Sequence, residues 1–253
     1  DVAEMHEKSA KNLELTLLLK DVKRHANRNY FVLKHAAQKN LFGVDLMKEA
    51  TEIARLRLFL KLISAIDDFD DIEPLPDLEF NIKSGNLLIG ITKSEKLIDY
   101  VSRLDALSFV EDINNQVIHL ADLWNNFTIS QEEGHEKAKI AKKMLSNGTA
   151  ILRKTLDNLF YETINGNSKQ TFEEWREAAS PFHWFVEFPE VFQNDGFDIV
   201  IGNPPYIKKS KVNYDIKSHY TSDCPDIYAM CMERASLITN QDGIFTMIVM
   251  TNL

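Results

Sequence analysis

The chain has 253 residues, 44% hydrophobic and 26% charged, enough for one large domain with an insertion and a substantial buried core. Its formal net charge of −9 excludes a globally basic nucleic-acid binder while leaving local basic patches open. No apolar run approaches the ~20 residues that cross a bilayer, so no membrane partner is expected.

The first residues, DVAEMHEKSAKN, are polar and helix-like, which fits neither a signal nor a transit peptide, and they lack an initiator Met. Only Cys224 and Cys231 carry thiols, which rules against a disulfide scaffold and suits a reducing cytoplasm. The seven histidines are scattered away from zinc-ligand spacing, so no metal site is expected.

Apolar residues at helical spacing (Leu13, Leu17, Leu18, then Tyr30, Leu33, Ala37) predict one helical stretch from residue 8 to about 40. LFGVDL, 41–46, reads as a short strand closing on an acid, and 48–65 as an amphipathic helix without Gly or Pro. Strand then helix is the start of a parallel βα unit. Residues 66–79 form an acidic, Pro-marked loop, and FNIKSGNLLIG, 80–90, a strand and turn.

Between 93 and 165 the pattern changes. Leu97, Val101, Leu104, Leu107, Ile113, Val117, Leu120, Trp124 and Phe127 step by threes and fours, apart from one wider gap. Ile140, Met144, Ile151, Leu156, Leu159 and Ile164 follow. Ser130-Gln-Glu-Glu133 between the runs reads as a capping box, which predicts an antiparallel helical hairpin whose apolar stripe is helix–helix core. Another capping box, Thr171-Phe-Glu-Glu174, opens a short helix that stops before Pro181.

The α/β pattern resumes in FHWFVEFPEVF, 182–192, with a strand at 198–202, a Lys-rich loop, a helix around 226–239 and a strand over 243–250. The expected architecture is an α/β sheet over 1–92 and 181–253, interrupted by a helical insertion over 93–180 that exceeds a usual loop.

The strand at 198–202 ends on Asn203-Pro204-Pro205-Tyr206. In an open parallel sheet, ligands bind beyond the carboxyl ends of the strands. Asn offers an acceptor oxygen and a donor NH₂. Each proline lacks an N–H, and its carbonyl is held at nearly fixed φ. Such a loop, rich in acceptors, suits a planar NH₂ on a π-system. Two acceptors gripping its hydrogens orient the amine and favour the pyramidal form with an available lone pair. Tyr206 would stack on the same ring, worth ~1–3 kcal/mol per base. The alternative is a Pro-terminated strand whose Tyr packs in the core; placement directly after an apolar strand favours the ligand site.

DIVIGNPPY resembles the catalytic motif of amino-methyltransferases that use S-adenosylmethionine, above all the adenine-N6 DNA methylases of restriction-modification systems. FHWFVEFPEVF followed by GFDIVIGNPPYI is similar to the large type IIG and BREX-associated methylases. NRNYFVLKHAAQKNLFGVDLMKEATEIARLRLFLKLIS resembles the segment leading into their cofactor-ribose strand, and SGNLLIG their next cofactor segment. DIYAMCMERASLITNQDGIFTMIVM is similar to the helix and strand after the catalytic loop. The resemblance covers most of the chain except the hairpin.

It implies a partial Rossmann-like methyltransferase sheet with a long helical-hairpin insertion. Asp45 would accept hydrogen bonds from the cofactor's ribose hydroxyls, and Asn86, where the family often has Asp, would hold its adenine amino group. Asn203 and the Pro204 carbonyl would grip the target amine in the loop completed by Pro205, and Tyr206 would stack on a flipped base. Lys208, Lys209 and Lys211 would meet DNA phosphates. Other readings stand beside these. Asp45 also suits a helix entry, Gly85-Asn86 an ordinary turn, and the lysines a solvated loop.

The nine glycines include no Asp-Pro-x-x-Gly-x-Gly turn, which the family order would put upstream of residue 1. The sheet's closing hairpin and a target-recognition domain would be expected beyond Leu253, and Pro76-Asp77 and Pro225-Asp226 lack the downstream Glu-x-Lys of a nuclease. The expectation is therefore an internal fragment, inactive alone, of a DNA adenine-N6 methyltransferase in restriction-modification or phage defence. Its partners would be double-stranded DNA, S-adenosylmethionine and further subunits or domains of the system. The rival functions are protein glutamine, RNA guanine-N2 or cytosine-N4 methylation, and a non-catalytic scaffold whose hairpin docks a partner subunit.

Overall fold

The computed structural model describes residues 13, 15–66, 73–101, 106–164, 170–212, 214 and 219–249. The chain divides into two compact units, Asp1–Gly43 with Glu49–Lys83, and Val44–Lys48 with Ser84–Leu253.

In the first unit, helix α1 covers residues 15–24, and α2 runs Arg28–Lys39. The single helix expected up to residue 40 is thus broken at 25–27; the part before residue 13 lies outside the described residues. Asn27 causes the break. Its side chain accepts the Tyr30 N–H (3.0 Å) as an N-cap and donates to the Ala65 carbonyl (2.8 Å). An amide that caps so well competes with continuing the helix. His25 and Lys34 both bind Glu73. Burial pushes the Glu73 carboxyl up, but the hydrogen bonds from Lys34 and His25 outweigh it and hold the group below its usual range. Tyr30, Leu62, Leu78 and Phe80 form the core. Helix α3, Lys48–Ile63, forms as expected, yet Ile53, Leu56 and Leu60 of its apolar stripe are exposed.

The strands are short: β1 (Gly43–Asp45) pairs with β2 (Ile82–Ser84), and β3 (Phe197–Gly202) runs parallel to β4 (Thr239–Met247). The class is α/β, mostly helical, and among the described residues the strands make two separate two-stranded sheets. β4 begins earlier than the expected 243, directly at the end of helix α9 (Ile227–Ile238), and the register shifts between Phe197, opposite Thr239, and Ile199, opposite Ile244.

The hairpin is present as α4 (Ala106–Glu133) and α5 (His135–Ile164), but three of its details differ from expectation. Residues 94–99 form a separate 3₁₀ turn before it, with Leu97 fully buried. Ser130 is no N-cap: it lies in the last turn of α4, its hydroxyl donates to the Phe127 carbonyl (2.8 Å), and the break falls at Gly134 with φ 138°. Only glycine takes that φ without strain. On α5 the buried stripe is Leu145, Leu152, Leu156 and Phe160, whereas Ile140, Met144 and Ile151 are exposed. Gly148 explains the phase, because a Cβ there would stand 2.7 Å from a Leu120 methyl. The glycine lets α4 approach, so the stripe on its side becomes the interface.

Helix α6 (Phe172–Ala179) carries the expected capping box, and Ser180 (φ 45°) ends it before Pro181. FHWFVEFPEVF folds into two short helices, α7 (Trp184–Glu187) and α8 (Pro189–Phe192), packed against β3 by edge-on contacts such as Phe188–Phe197 at 5.8 Å.

Candidate active site

The loop after β3 is held from both sides. The Ile248 N–H donates to the Gly202 carbonyl (3.0 Å), carrying the β3–β4 ladder past the strand end. Beyond it, Asn203, Pro205 and Tyr206 are exposed and Pro204 is buried. The Tyr206 hydroxyl lies 2.7 Å from the Ile248 carbonyl and 3.2 Å from Asn203 Oδ1. A hydroxyl has one proton, and the shorter contact to the carbonyl takes it. Asn203 Oδ1 therefore keeps its accepting capacity. With 40% of Tyr206 exposed, its ring is not a core element, so the packed-Tyr alternative fails.

Downstream, the Lys209 N–H donates to the Pro225 carbonyl (2.7 Å), and the Ile227 N–H to the Ile207 carbonyl (3.1 Å). Lys208 pairs with Asp226 at 3.0 Å, and the Lys209 ammonium donates to the Ser222 carbonyl. Two of the three lysines expected at phosphates are thus engaged within the protein, while Lys211 is exposed on a 3₁₀ turn.

Asp45 is exposed at the carboxyl end of β1, and its Oδ1 accepts the Met47 N–H (2.8 Å). Asn86 is only 4% exposed and sits in a tight turn. Its N–H donates to the Ser180 carbonyl (2.7 Å), and its Oδ1 accepts the Leu88 N–H (3.1 Å). That leaves Nδ2 as a buried donor without a well-formed hydrogen bond. The Tyr214 hydroxyl lies beside this amide; burial pushes its pKa up and the amide pulls against that. Leu88, Ile227, Met230 and Cys231 make the apolar cluster on which Tyr214 packs.

A family model described as Eco57I restriction-modification methylase matches residues 39–253. The chain belongs to this family. The chain is 26% identical to a Methanocaldococcus jannaschii protein named as a type II restriction enzyme and methyltransferase, over 91% of this chain and 24% of that protein. It therefore spans about a quarter of that relative's length. No solved structure matches it.

The chain also has a cavity of about 480 Å³ where Leu46, Ser84 and Gly85, at the strand ends, face α5 and α6. Its walls are charged, and part of that charge is matched within them. Arg153 grips Glu187 with two bonds (2.6 and 2.8 Å), and Asp157 accepts from Arg176 (2.7 Å) and His183 (3.0 Å). Neither Asp45, Asn86 nor residues 203–206 line it. Among the described residues no three His, Cys, Asp or Glu side chains form a metal cluster, and no helix is long and apolar enough to cross a membrane.

Sequence reasoning passed over Ile248, Tyr214 and Arg234. A carbonyl and a lone Tyr leave no pattern. Arg234, however, stands in the apolar run IYAMCMERASLI, and a guanidinium there signals a buried donor with acceptors nearby. It is 6% exposed and donates to the carbonyls of Leu88 (2.7 Å) and Gly90 (3.2 Å).

Proposed function

We propose that this methylase transfers a methyl group from S-adenosylmethionine to the N6 amine of an adenine flipped out of double-stranded DNA, within a larger cytoplasmic restriction-modification protein. The observation that carries the reading is the exposed Asn203 amide, whose oxygen has two lone pairs and so can accept from a target amine beside its 3.2 Å contact with the Tyr206 hydroxyl. A target amine donates one N–H to Asn203 Oδ1 and the other to the Pro204 carbonyl. Both bonds draw the nitrogen toward its pyramidal form, so its lone pair is available for attack. Tyr206 covers the flat face of the base while its hydroxyl stays tethered. After attack the amine carries an extra proton, which the same two oxygens hold until water removes it. Bulk acidity is no obstacle, because basic surface is needed only at the phosphates, where Lys211 is exposed and Lys208 lies 54% exposed beside Asp226.

Residues suited to the cofactor are present. Asp45 has its second carboxylate oxygen available for a ribose diol, and Asn86, buried beside the Tyr214 hydroxyl, holds the turn expected at the cofactor's adenine. Bound S-adenosylmethionine supplies an electrophilic methyl on sulfonium sulfur.

The test is methyl incorporation from labelled S-adenosylmethionine by the intact enzyme, with unmethylated genomic DNA and a glutamine-bearing release-factor peptide as rival substrates. DNA alone should be labelled, and Asn203→Ala should lower the rate by ~10²-fold or more. Label in the peptide alone contradicts the proposal.

A further inference from the structure

The turn bearing Asn86 and the loop bearing Asn203 lie far apart in sequence, and α9 touches both. At its N-terminal end, the Ile227 N–H holds the Ile207 carbonyl, and Asp226 faces Lys208 in an antiparallel bridge with a 3.0 Å ion pair. Two turns along, roughly 10 Å by helical rise, Arg234 holds the carbonyls of Leu88 and Gly90. The turn has little freedom on its other side. The Phe182 N–H donates to the Ile89 carbonyl (2.7 Å), and a Cβ on Gly90 would lie 2.2 Å from the Phe182 carbonyl oxygen.

We propose that α9 is a strut that sets the spacing between the two halves of the methylase site, with Arg234 a positioning residue for the cofactor side and Asp226 one for the target-base side. The inference rests on the function proposed above. A buried guanidinium is an expensive way to satisfy two carbonyls. A neutral side chain or a water would satisfy them without fixing their distance from α9. The planar fork of arginine does fix it, because its two donors are rigidly spaced and anchored on a helix. The ion pair at the other end is half exposed and weak alone. Its place beside a backbone bridge nevertheless aligns the chain that leaves Tyr206.

The assay is steady-state methylation of unmethylated genomic DNA by the intact enzyme, varying S-adenosylmethionine and DNA separately, with melting curves for each variant. Arg234→Met should raise KM for S-adenosylmethionine about 5-fold or more, with KM for DNA within about 2-fold, because both carbonyl bonds that order the cofactor side are lost. Arg234→Lys keeps the charge but spans only one carbonyl, and should shift the same constant in the same direction. Asp226→Asn should do the reverse, raising KM for DNA or lowering kcat about 2- to 5-fold with KM for S-adenosylmethionine unchanged. A purely structural role would lower the melting temperature and leave both KM values alone, and that overturns the proposal. Should Arg234→Met fail to fold, Arg234→Lys and Asp226→Asn decide in the same way. Absence of DNA methylation by the unaltered enzyme would instead reject the function itself, and the strut with it.

Discussion

The hydroxyl of Tyr206 is 2.7 Å from the carbonyl of Ile248 and so ties the loop after β3 to the chain leaving β4. The bond fixes the ring beside Asn203, whose Oδ1 is 3.2 Å from the same hydroxyl. Tyr206→Phe removes the tether and keeps the stacking face. We expect a fall in kcat of about 5-fold, the worth of one net hydrogen bond, with KM for DNA little changed. Tyr206→Ala removes the face as well and should raise KM for DNA by ~10-fold or more. Kinetics of the two variants side by side check the separation.

Asn86→Asp exchanges the NH₂ beside Tyr214 for a carboxylate oxygen at a residue that is 4% exposed. The Leu88 N–H keeps its acceptor, but a buried charge now lies beside Tyr214 with no proton-bearing partner on the cofactor side. Weaker S-adenosylmethionine binding by about 10-fold, measured by calorimetry on the intact enzyme, is expected. Tighter binding would mean that the new carboxylate meets the purine amine.

The two thiols should differ sharply. Cys224 is exposed and Cys231 is buried, with burial pushing the Cys231 thiol up to about 11. Because the thiolate is the nucleophile, iodoacetamide at pH 8 should label Cys224 in the native protein and reach Cys231 only after unfolding. Peptide mapping by mass spectrometry reads this directly.

His219 should make the second unit sensitive to mild acid. Burial, helped by the nearby Arg234 charge, pushes its pKa below the ordinary 6.5. The unfolded chain then binds the proton more readily than the folded one. Stability is full above about 6.5 and falls as pH drops from there toward the lowered folded value. His219→Gln should flatten that slope, as measured by urea midpoints between pH 7 and 5.

The elements that gave their positions away were those with local chemistry. Thr171 and Glu174 cap each other within one turn, and Asn203-Pro204-Pro205 cannot continue a ladder. Misreadings arose where a local signal had two uses or a tertiary contact decided. Ser130 and Glu133 match a capping box, but Gly134 supplies the only backbone that turns there. On α5 two apolar stripes compete, and Gly148 selects one by what lies opposite it. The strut was not legible, because Arg234 acts through carbonyls of residues 88 and 90, which carry no side-chain signature.

The most direct measurement is to digest genomic DNA methylated by the intact enzyme and identify the methylated nucleoside by mass spectrometry. N6-methyladenine should be formed by the unaltered enzyme and be lost with a folded Asn203→Ala variant. N4-methylcytosine as the product, or unchanged N6-methyladenine from Asn203→Ala, would contradict the assignment of the loop after β3 as the grip on an adenine amine.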